Sequence, residues 1–250
     1  MPVKKGDFIL IDYVARVKET GEAFDATIEK VAKDEGIIDN TSIYEPKLVI
    51  VGQGWVLKSL DDALPGLEIG KASKIEISSE KGFGPRDPKK IRLIPLRRFR
   101  REEAPHPGMR VEIDGKTAVI RAVGAGRVQV DFNPPLAGRT LVYDLTVRKR
   151  LKEKNEKVLS LIHRRIPSVK GEDFKFNLKT SMLSVELPKE AFYLEGIQFA
   201  KRGIANDIRK FLPEVKAVRF IETFKGEATQ ATDVRGIEKD ASPAGKQSSP

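Results

Sequence analysis

The 250-residue chain contains no cysteine, one tryptophan and two histidines, and each shortage removes a class of chemistry. Without cysteine there are no disulfides, no thiolate metal sites and no thiol nucleophile, which fits a reducing compartment. His106 and His163 are far apart and have no acidic neighbours at ligand spacing, so no metal cluster is expected. A Ser/His/Asp or Cys/His arrangement has nothing specific to rest on. Gly52-Gln53-Gly54 is not followed by a third glycine or by Gly-Lys-Ser/Thr, and Gly82 and Gly84 fail the same test, so there is no phosphate loop. No cofactor is called for. No apolar run approaches the roughly 20 residues that span a bilayer. The N-terminal MPVKKGDFIL lacks the apolar stretch of a secretory signal. The expected address is therefore the cytoplasm.

What is present is a well-populated core and a heavily charged surface: 40% of residues are hydrophobic and 33% charged. The formal net charge is +10. Over 89–131 there are eleven Lys or Arg against five Asp or Glu, so that short region carries +6 of the total. Such a patch is either a solvated basic surface or a site for acidic partners, nucleic acid first. Abundant Lys, Arg and Glu without cysteine also suit a thermophile.

The stretch 49–84 organises the chain. Val49, Ile50 and Val51 form a short buried strand, and Gly52 and Gly54 release the backbone for a reversal. Val56, Leu57, Leu60 and Leu64 make one apolar stripe at helical spacing, ended by Pro65-Gly66. Ile75 and Ile77 alternate as on a half-buried strand. Phe83 stands between two glycines, where an aromatic ring has no structural duty. Before this stretch, Asp7 to Lys18 alternate as a long strand, Ala23 to Asp25 are extended, and Ile28, Val31 and Ala32 mark a short helix.

After Pro85 the composition turns basic, with Lys89, Lys90, Arg92, Arg97, Arg98, Arg100 and Arg101 close together. Three strands then form a meander: 109–113, 117–123 and 127–132, joined by Asp114-Gly115 and Gly124-Ala125-Gly126. Thr140 to Arg148 alternate as another strand. A charged helix over 149–165, two strands, a helical stretch from Pro188 to about Phe211 and a last strand at 215–224 read as a separate α+β domain. Phe192, Phe199, Ile204, Ile208 and Leu212 are its expected buried helical positions. The tail 227–250 has the composition of a disordered segment.

The order YVARVKETGEAFDAT, VIVGQGWVLKSLDDALPGLEIGKASKIEIS, EKGFG and PLAGRTLVYDLTV resembles the FKBP family of peptidyl-prolyl cis-trans isomerases. The basic module between GFG and PLAG resembles the insert-in-flap domain of the SlyD-like branch, and the further C-terminal domain resembles long-type archaeal members. The resemblance implies an α+β fold: a half-wrapped antiparallel β-sheet around a short helix, with a small β domain inserted and a separate C-terminal α+β domain. The implied limits are 1–88 with 132–150 for the isomerase domain, 89–131 for the insert and 151–226 for the C-terminal domain.

By the same resemblance, Tyr13, Phe24 and Asp25 fall at the pocket walls, and Val56 and Leu57 at the start of the pocket helix. Leu60 falls where many members have a tryptophan floor. Phe83 replaces a frequent tyrosine, and Tyr143 a frequent phenylalanine. Trp55, five positions before Leu60, is a rim or packing residue. In the insert, Ile94, Leu96, Phe99, Met109 and Val111 are the candidate surface for unfolded chains.

The implied function is X-Pro isomerisation in folding chains, with chaperone activity from the insert. Its partners are unfolded or proline-containing polypeptides. Self-association as a homodimer through the C-terminal domain, or a second client surface there, are both open. Two alternatives remain: a holdase or ribosome-associated chaperone with a vestigial pocket, and a nucleic-acid-binding protein using Lys89 to Arg101.

Overall fold

The computed structural model of the chain describes residues 2–99 and 104–225. In chain order the first elements are β1 (Phe8–Val17), β2 (Ala23–Ala26), α1 (Glu29–Asp34), β3 (Lys47–Ile50), α2 (Lys58–Ala63) and β4 (Ala72–Ile77). The basic module contributes β5 (Ile91–Pro95), β6 (Arg110–Ile113), β7 (Lys116–Gly124) and β8 (Arg127–Asp131). Then follow β9 (Leu141–Leu151), α3 (Lys154–Arg165), β10 (Lys175–Lys179), β11 (Met182–Glu186), α4 (Ile197–Phe211) and β12 (Ala217–Ile221).

The first sheet has five strands. β9 pairs antiparallel with the whole length of β1 and carries β4 on its other edge. The remaining edge of β1 is divided: Phe8 to Ile11 pair with β3, and Val14 to Arg16 with β2. Irregularities between Leu10 and Ile11 and between Ala15 and Arg16 mark where β1 changes register, and such bulges increase local twist. The sheet therefore curls, and its inner face holds Ile9, Ile11, Tyr13, Val49, Leu60, Leu64, Leu141, Tyr143 and Leu145 in one cluster. α2 closes that face through Leu60 and Leu64, 1% and 0% exposed. β1 is apolar on both faces because its back is covered too. Phe8 belongs to the core of the C-terminal domain, and Val14 packs with Ala26 and Ala32 beside α1.

The helix at the pocket floor is shorter than the apolar stripe predicts. It begins at Lys58, with Leu57 in an extended conformation (φ −50°, ψ 132°) at its N-cap and Leu64 at its C-cap. The cause is Asp61, whose carboxylate accepts hydrogen bonds from Gly52 N at 2.8 Å and Gly54 N at 2.7 Å. The reversal after β3 is pinned to the first turn, so Val56 and Leu57 remain in the loop.

The insert is a four-stranded antiparallel sheet in the order β5-β8-β7-β6. The meander reading anticipates three of these strands. The fourth, β5, forms because Ile91 to Pro95 pair with Arg127 to Asp131. The segments entering and leaving the insert are stitched together. Asp131, 2% exposed, accepts from Arg86 Nη2, from Arg121 Nε at 3.2 Å and from Asn133 N and Nδ2, both at 2.8 Å. Asn133 also exchanges two hydrogen bonds of 2.9 Å with the Asp87 backbone. Burial would raise the Asp131 carboxyl, but the Asn133 bonds and Arg121 outweigh it and hold the group below the ordinary range. Arg100, Arg101 and the tail 227–250 lie outside the described residues.

The C-terminal sheet has the order β10-β11-β12, antiparallel and then parallel. α3 and α4 cover it, and the resulting core runs on into Phe8, Leu48, Ile50 and Leu151 of the first sheet. The helix after Pro188 starts late: a single turn over Lys189–Ala191 precedes Gly196, whose φ of 75° opens α4. Ile197, Ile204 and Ile208 face inward. Phe199, expected buried, is 81% exposed, because two residues turn the helix by about 200° from Ile197. Gly203 sits where a Cβ would lie 3.0 Å from the Arg165 guanidinium, so its role is close approach of α4 to α3 beside the Arg165–Asp207 bond of 2.7 Å. No helix among the described residues is long and apolar enough to cross a membrane.

Candidate active site

Seven of the eight pocket residues named from the sequence meet at one end of the first sheet. Tyr13 on β1 and Tyr143 on β9 are neighbours across the sheet, with ring centroids 5.6 Å apart. Phe24 on β2 stands edge-on to Tyr143 at 6.2 Å. Leu60 lies beneath them in the same cluster, and Val56 and Leu57 pack against that cluster from the loop before α2. Asp25, next to Phe24 and paired with Ala15 of β1, accepts a 2.7 Å hydrogen bond from the Tyr13 hydroxyl.

Tyr13 is fixed along its length. Its backbone N donates to Thr27 Oγ1 at 3.0 Å, and that hydroxyl donates in turn to Asp12 at 2.9 Å. The Lys47 ammonium stands 3.5 Å from the Tyr13 hydroxyl and 5.9 Å from the ring centroid. Phe83 is the residue that does not join. It is 45% exposed in the loop after the single turn Ser79–Lys81. Among the described residues it makes none of the ring contacts that link the other aromatics. Its loop is nevertheless tied to the floor, because Ser59 Oγ on α2 donates to the Lys81 carbonyl at 2.5 Å.

The geometry gives a mostly apolar cluster with one phenol-to-carboxylate hydrogen bond at its edge. Burial, and then the Asp25 charge, push the Tyr143 phenol up to about 12 and the Tyr13 phenol further still. Both therefore remain neutral donors at any physiological pH. Because their folded values lie above the ordinary 10.0, the stabilisation of the neutral phenols is complete below about pH 10. It is lost as pH rises through the folded values. Thermal melts are expected to hold steady from pH 7 to about 10 and to fall above it, less steeply in Tyr143→Phe.

Among the described residues no group of three or more His, Asp or Glu is placed to hold a metal. Nor does the site contain an activated nucleophile, so the chemistry open to it is that of shape, desolvation and hydrogen bonding.

Three family models match the chain. FKBP-type peptidyl-prolyl cis-trans isomerase matches residues 1–96, the FKBP26 IF domain residues 92–136, and FKBP26 C-terminal residues 154–225. The chain is 37% identical over 147 residues to a short-type peptidyl-prolyl cis-trans isomerase of Methanocaldococcus jannaschii, covering 58% of this chain and 92% of that protein. The chain belongs to the FKBP-type peptidyl-prolyl cis-trans isomerase family.

The chain is also 28% identical over 146 residues to the FKBP-type isomerase SlyD of Helicobacter pylori, covering 55% of this chain and 78% of that protein. A probable 16 kDa FKBP-type isomerase of Pseudomonas fluorescens is 26% identical over 144 residues, covering 55% of this chain and 96% of that protein. The FKBP fold, the insert and the additional C-terminal domain expected from the resemblance are all present.

Two features of the site escape sequence reading. Asp61 is not among the residues named from the sequence, yet it is 4% exposed and organises the floor. Its signal in the sequence is an acid on the apolar stripe itself, four residues after Leu57 and three before Leu64. Lys47 and the loop before it border Tyr13 without any motif to announce them. Replacing Asp61 with alanine leaves two loop amides without their acceptor, and each such loss costs about 1–3 kcal/mol. Urea denaturation is expected to show a loss of this size in Asp61→Ala, with Asp61→Asn retaining part of it.

Proposed function

We propose that the chain catalyses rotation about X-Pro bonds at the pocket formed by Tyr13, Phe24, Asp25, Val56, Leu57, Leu60 and Tyr143, with Phe83 at its rim. The observation that carries this reading is the set of Tyr13, Phe24 and Tyr143 rings over Leu60, with Asp25 hydrogen-bonded to Tyr13. Amide rotation faces a barrier of about 18–20 kcal/mol because resonance makes the bond planar, and an X-Pro bond takes roughly 10–100 s to turn unaided. No bond to heavy atoms forms or breaks, so no nucleophile or cofactor is required.

At the twisted geometry the amide has lost its resonance and much of its charge separation. A site that removes the amide from water and grips the proline ring on aromatic faces binds that geometry better than the planar one. Each ~1.4 kcal/mol of such preference is worth about tenfold in rate. Asp25 has two parts in this scheme. It fixes the Tyr13 ring through one oxygen, and it orients the substrate amide at the pocket edge.

The isomerase domain comprises 1–88 with 132–150, the insert 89–131 and the C-terminal domain 151–226, acting on unfolded or proline-containing polypeptides in the cytoplasm. The insert supplies chaperone activity. Ile94 is not available for this, because it is 7% exposed and packs with Ile120, Val128 and Val130 as the module's own core. Leu96, Phe99, Met109 and Val111 lie half-buried around that core. These side chains form the client surface.

Self-association through the C-terminal domain is supported by its exposed aromatics: Tyr193, Phe199 and Phe224 are 85%, 81% and 67% exposed. The test of the whole reading is isomerisation of a proline tetrapeptide by the purified chain. Acceleration is expected, and none would leave only a holdase.

A further inference from the structure

Consecutive residues of the loop before α2 belong to different cores. Trp55 packs against the C-terminal core that contains Val158, Leu161 and Ile208, whereas Val56 and Leu57 pack against the cluster of Tyr13, Leu60 and Tyr143. The chain therefore crosses from one domain's interior to the other's in a single step, between Trp55 and Val56.

Both sides of the crossing are held. On the isomerase side the Asp61 carboxylate accepts from Gly52 N and Gly54 N, and Gly54 takes a φ of 68° that glycine adopts without strain, just before Trp55. On the C-terminal side the indole lies between two helices. The Arg164 guanidinium of α3 rests 3.9 Å from its ring centroid, and Phe211, the last residue of α4, meets it edge-on at 5.5 Å. Phe211 in turn stands edge-on to Phe8 at 6.1 Å, so the stack ends on β1, the strand that carries Tyr13.

Arg164 serves this stack more than an ion pair. Asp207 lies 3.9 Å from Arg164 but is bound by Arg165 at 2.7 Å, and a planar guanidinium over an indole face is the favoured form of cation–π contact. Val56 and Leu57 precede the helix, with Leu57 extended. Their position is set by what holds the loop at its two ends.

We infer that Trp55 is a positioning residue for the proline pocket, and that through Arg164 and Phe211 the C-terminal domain sets where Val56 and Leu57 stand. With the clamp weakened, the loop keeps its Asp61 tie, and arrangements with Val56 and Leu57 withdrawn from the pocket become populated. Such arrangements do not bind substrate. Apparent affinity then falls with the competent fraction, while turnover of bound substrate is unchanged. The inference rests on the isomerase reading of the pocket.

The test uses the full chain, as wild type, Arg164→Met and Arg164→Lys, with an uncharged proline tetrapeptide so that the lost charge has no direct partner in the substrate. The Arg164 side chain is 32% exposed and its removal leaves Asp207 bound to Arg165, so both changes are compatible with folding. Arg164→Met is expected to raise KM about three- to tenfold, the scale of a partly desolvated cation–π contact, with kcat held to within about twofold. Arg164→Lys keeps a cation for the ring and is expected to fall between the two. A role in global stability alone would move neither constant well below the melting temperature. An unchanged KM, or a loss carried by kcat, overturns the inference.

If the wild type does not isomerise the tetrapeptide, the isomerase reading has failed, and the clamp is decided in the free protein by the methyl resonances of Val56 and Leu57. Both are expected to shift and broaden in Arg164→Met and to recover in part in Arg164→Lys, while those of Ile120 in the insert core stay in place. Val56 and Leu57 signals that ignore the residue at position 164 overturn the inference.

Discussion

Phe24→Ala is expected to lower kcat/KM for a proline tetrapeptide by about 10- to 100-fold. The ring forms the outer wall of the pocket and stands edge-on to Tyr143 at 6.2 Å. Removing a phenylalanine from an apolar contact costs about 1.5–3 kcal/mol, which corresponds to that range at ~1.4 kcal/mol per tenfold. Phe24 is only half-buried in the free protein, so most of the loss appears in catalysis and little in the melting temperature. Phe24→Leu keeps the apolar character and part of the volume and is expected to lose less. Asp25→Ala acts differently: it takes away the acceptor of the buried Tyr13 hydroxyl and, in the proposed scheme, the group that orients the substrate amide. A chain in which both alanine variants isomerise the tetrapeptide at the wild-type rate does not use this pocket.

Deletion of 89–131, with a short glycine linker in its place, is expected to abolish catalysed refolding of a proline-limited protein while tetrapeptide isomerisation persists. The flap that bears the insert is closed independently of it. Gly138 N donates to the Gly84 carbonyl at 2.8 Å, so the two ends are already held together on the isomerase side. The bond network at Asp131 disappears with the deletion, leaving Arg86, 32% exposed at its side chain, to solvent rather than stranded in a core. The contrast between substrates follows from their reach. In the proposed scheme a tetrapeptide fills the pocket, whereas a folding chain is first retained near it by the apolar surface around Leu96, Phe99, Met109 and Val111. Equal loss on both substrates would show that the insert supports the pocket's structure rather than holding clients.

Much of this architecture is legible in the chain. The strands at Asp7 to Lys18 and Thr140 to Arg148 alternate clearly and pair along their full length as β1 and β9. The two hairpin turns of the insert carry Asp114 and Ala125 at φ of 53° and 48°, each next to a glycine of positive φ, as Asp-Gly and Gly-Ala-Gly signals imply. The proposed pocket residues are named from spaced blocks that match a family, not from periodicity. Tyr13 and Leu60 by themselves read as core, and in the free protein they are 4% and 1% exposed.

The errors have a common cause. Val56 and Leu57 fit a helical stripe, but the Asp61 carboxylate binds the loop amides and delays the helix. Phe199 lies about 200° from Ile197 and about 180° from Ile208 around the helix, so the tertiary choice of the face with Ile197, Ile204 and Ile208 as the buried one leaves it exposed. β5 lacks a turn signal because its partner β8 lies 36 residues further on, and pairing at that distance leaves no local trace.

The sequence by itself determined the order of the domains, the lack of cysteine, and the aromatic and aliphatic set from which the proposed proline site is drawn. Those properties are local: residue type and spacing along the chain are enough to state them. Tertiary structure decided which of these side chains share a surface. It joined Tyr13, Phe24 and Tyr143 from three strands and left Phe83 outside their contacts. It also set α3, about 150 residues from Tyr13 in the chain, against the same wall. Neighbours of that kind arise only when the sheet curls and two cores merge, and no spacing in the chain records them.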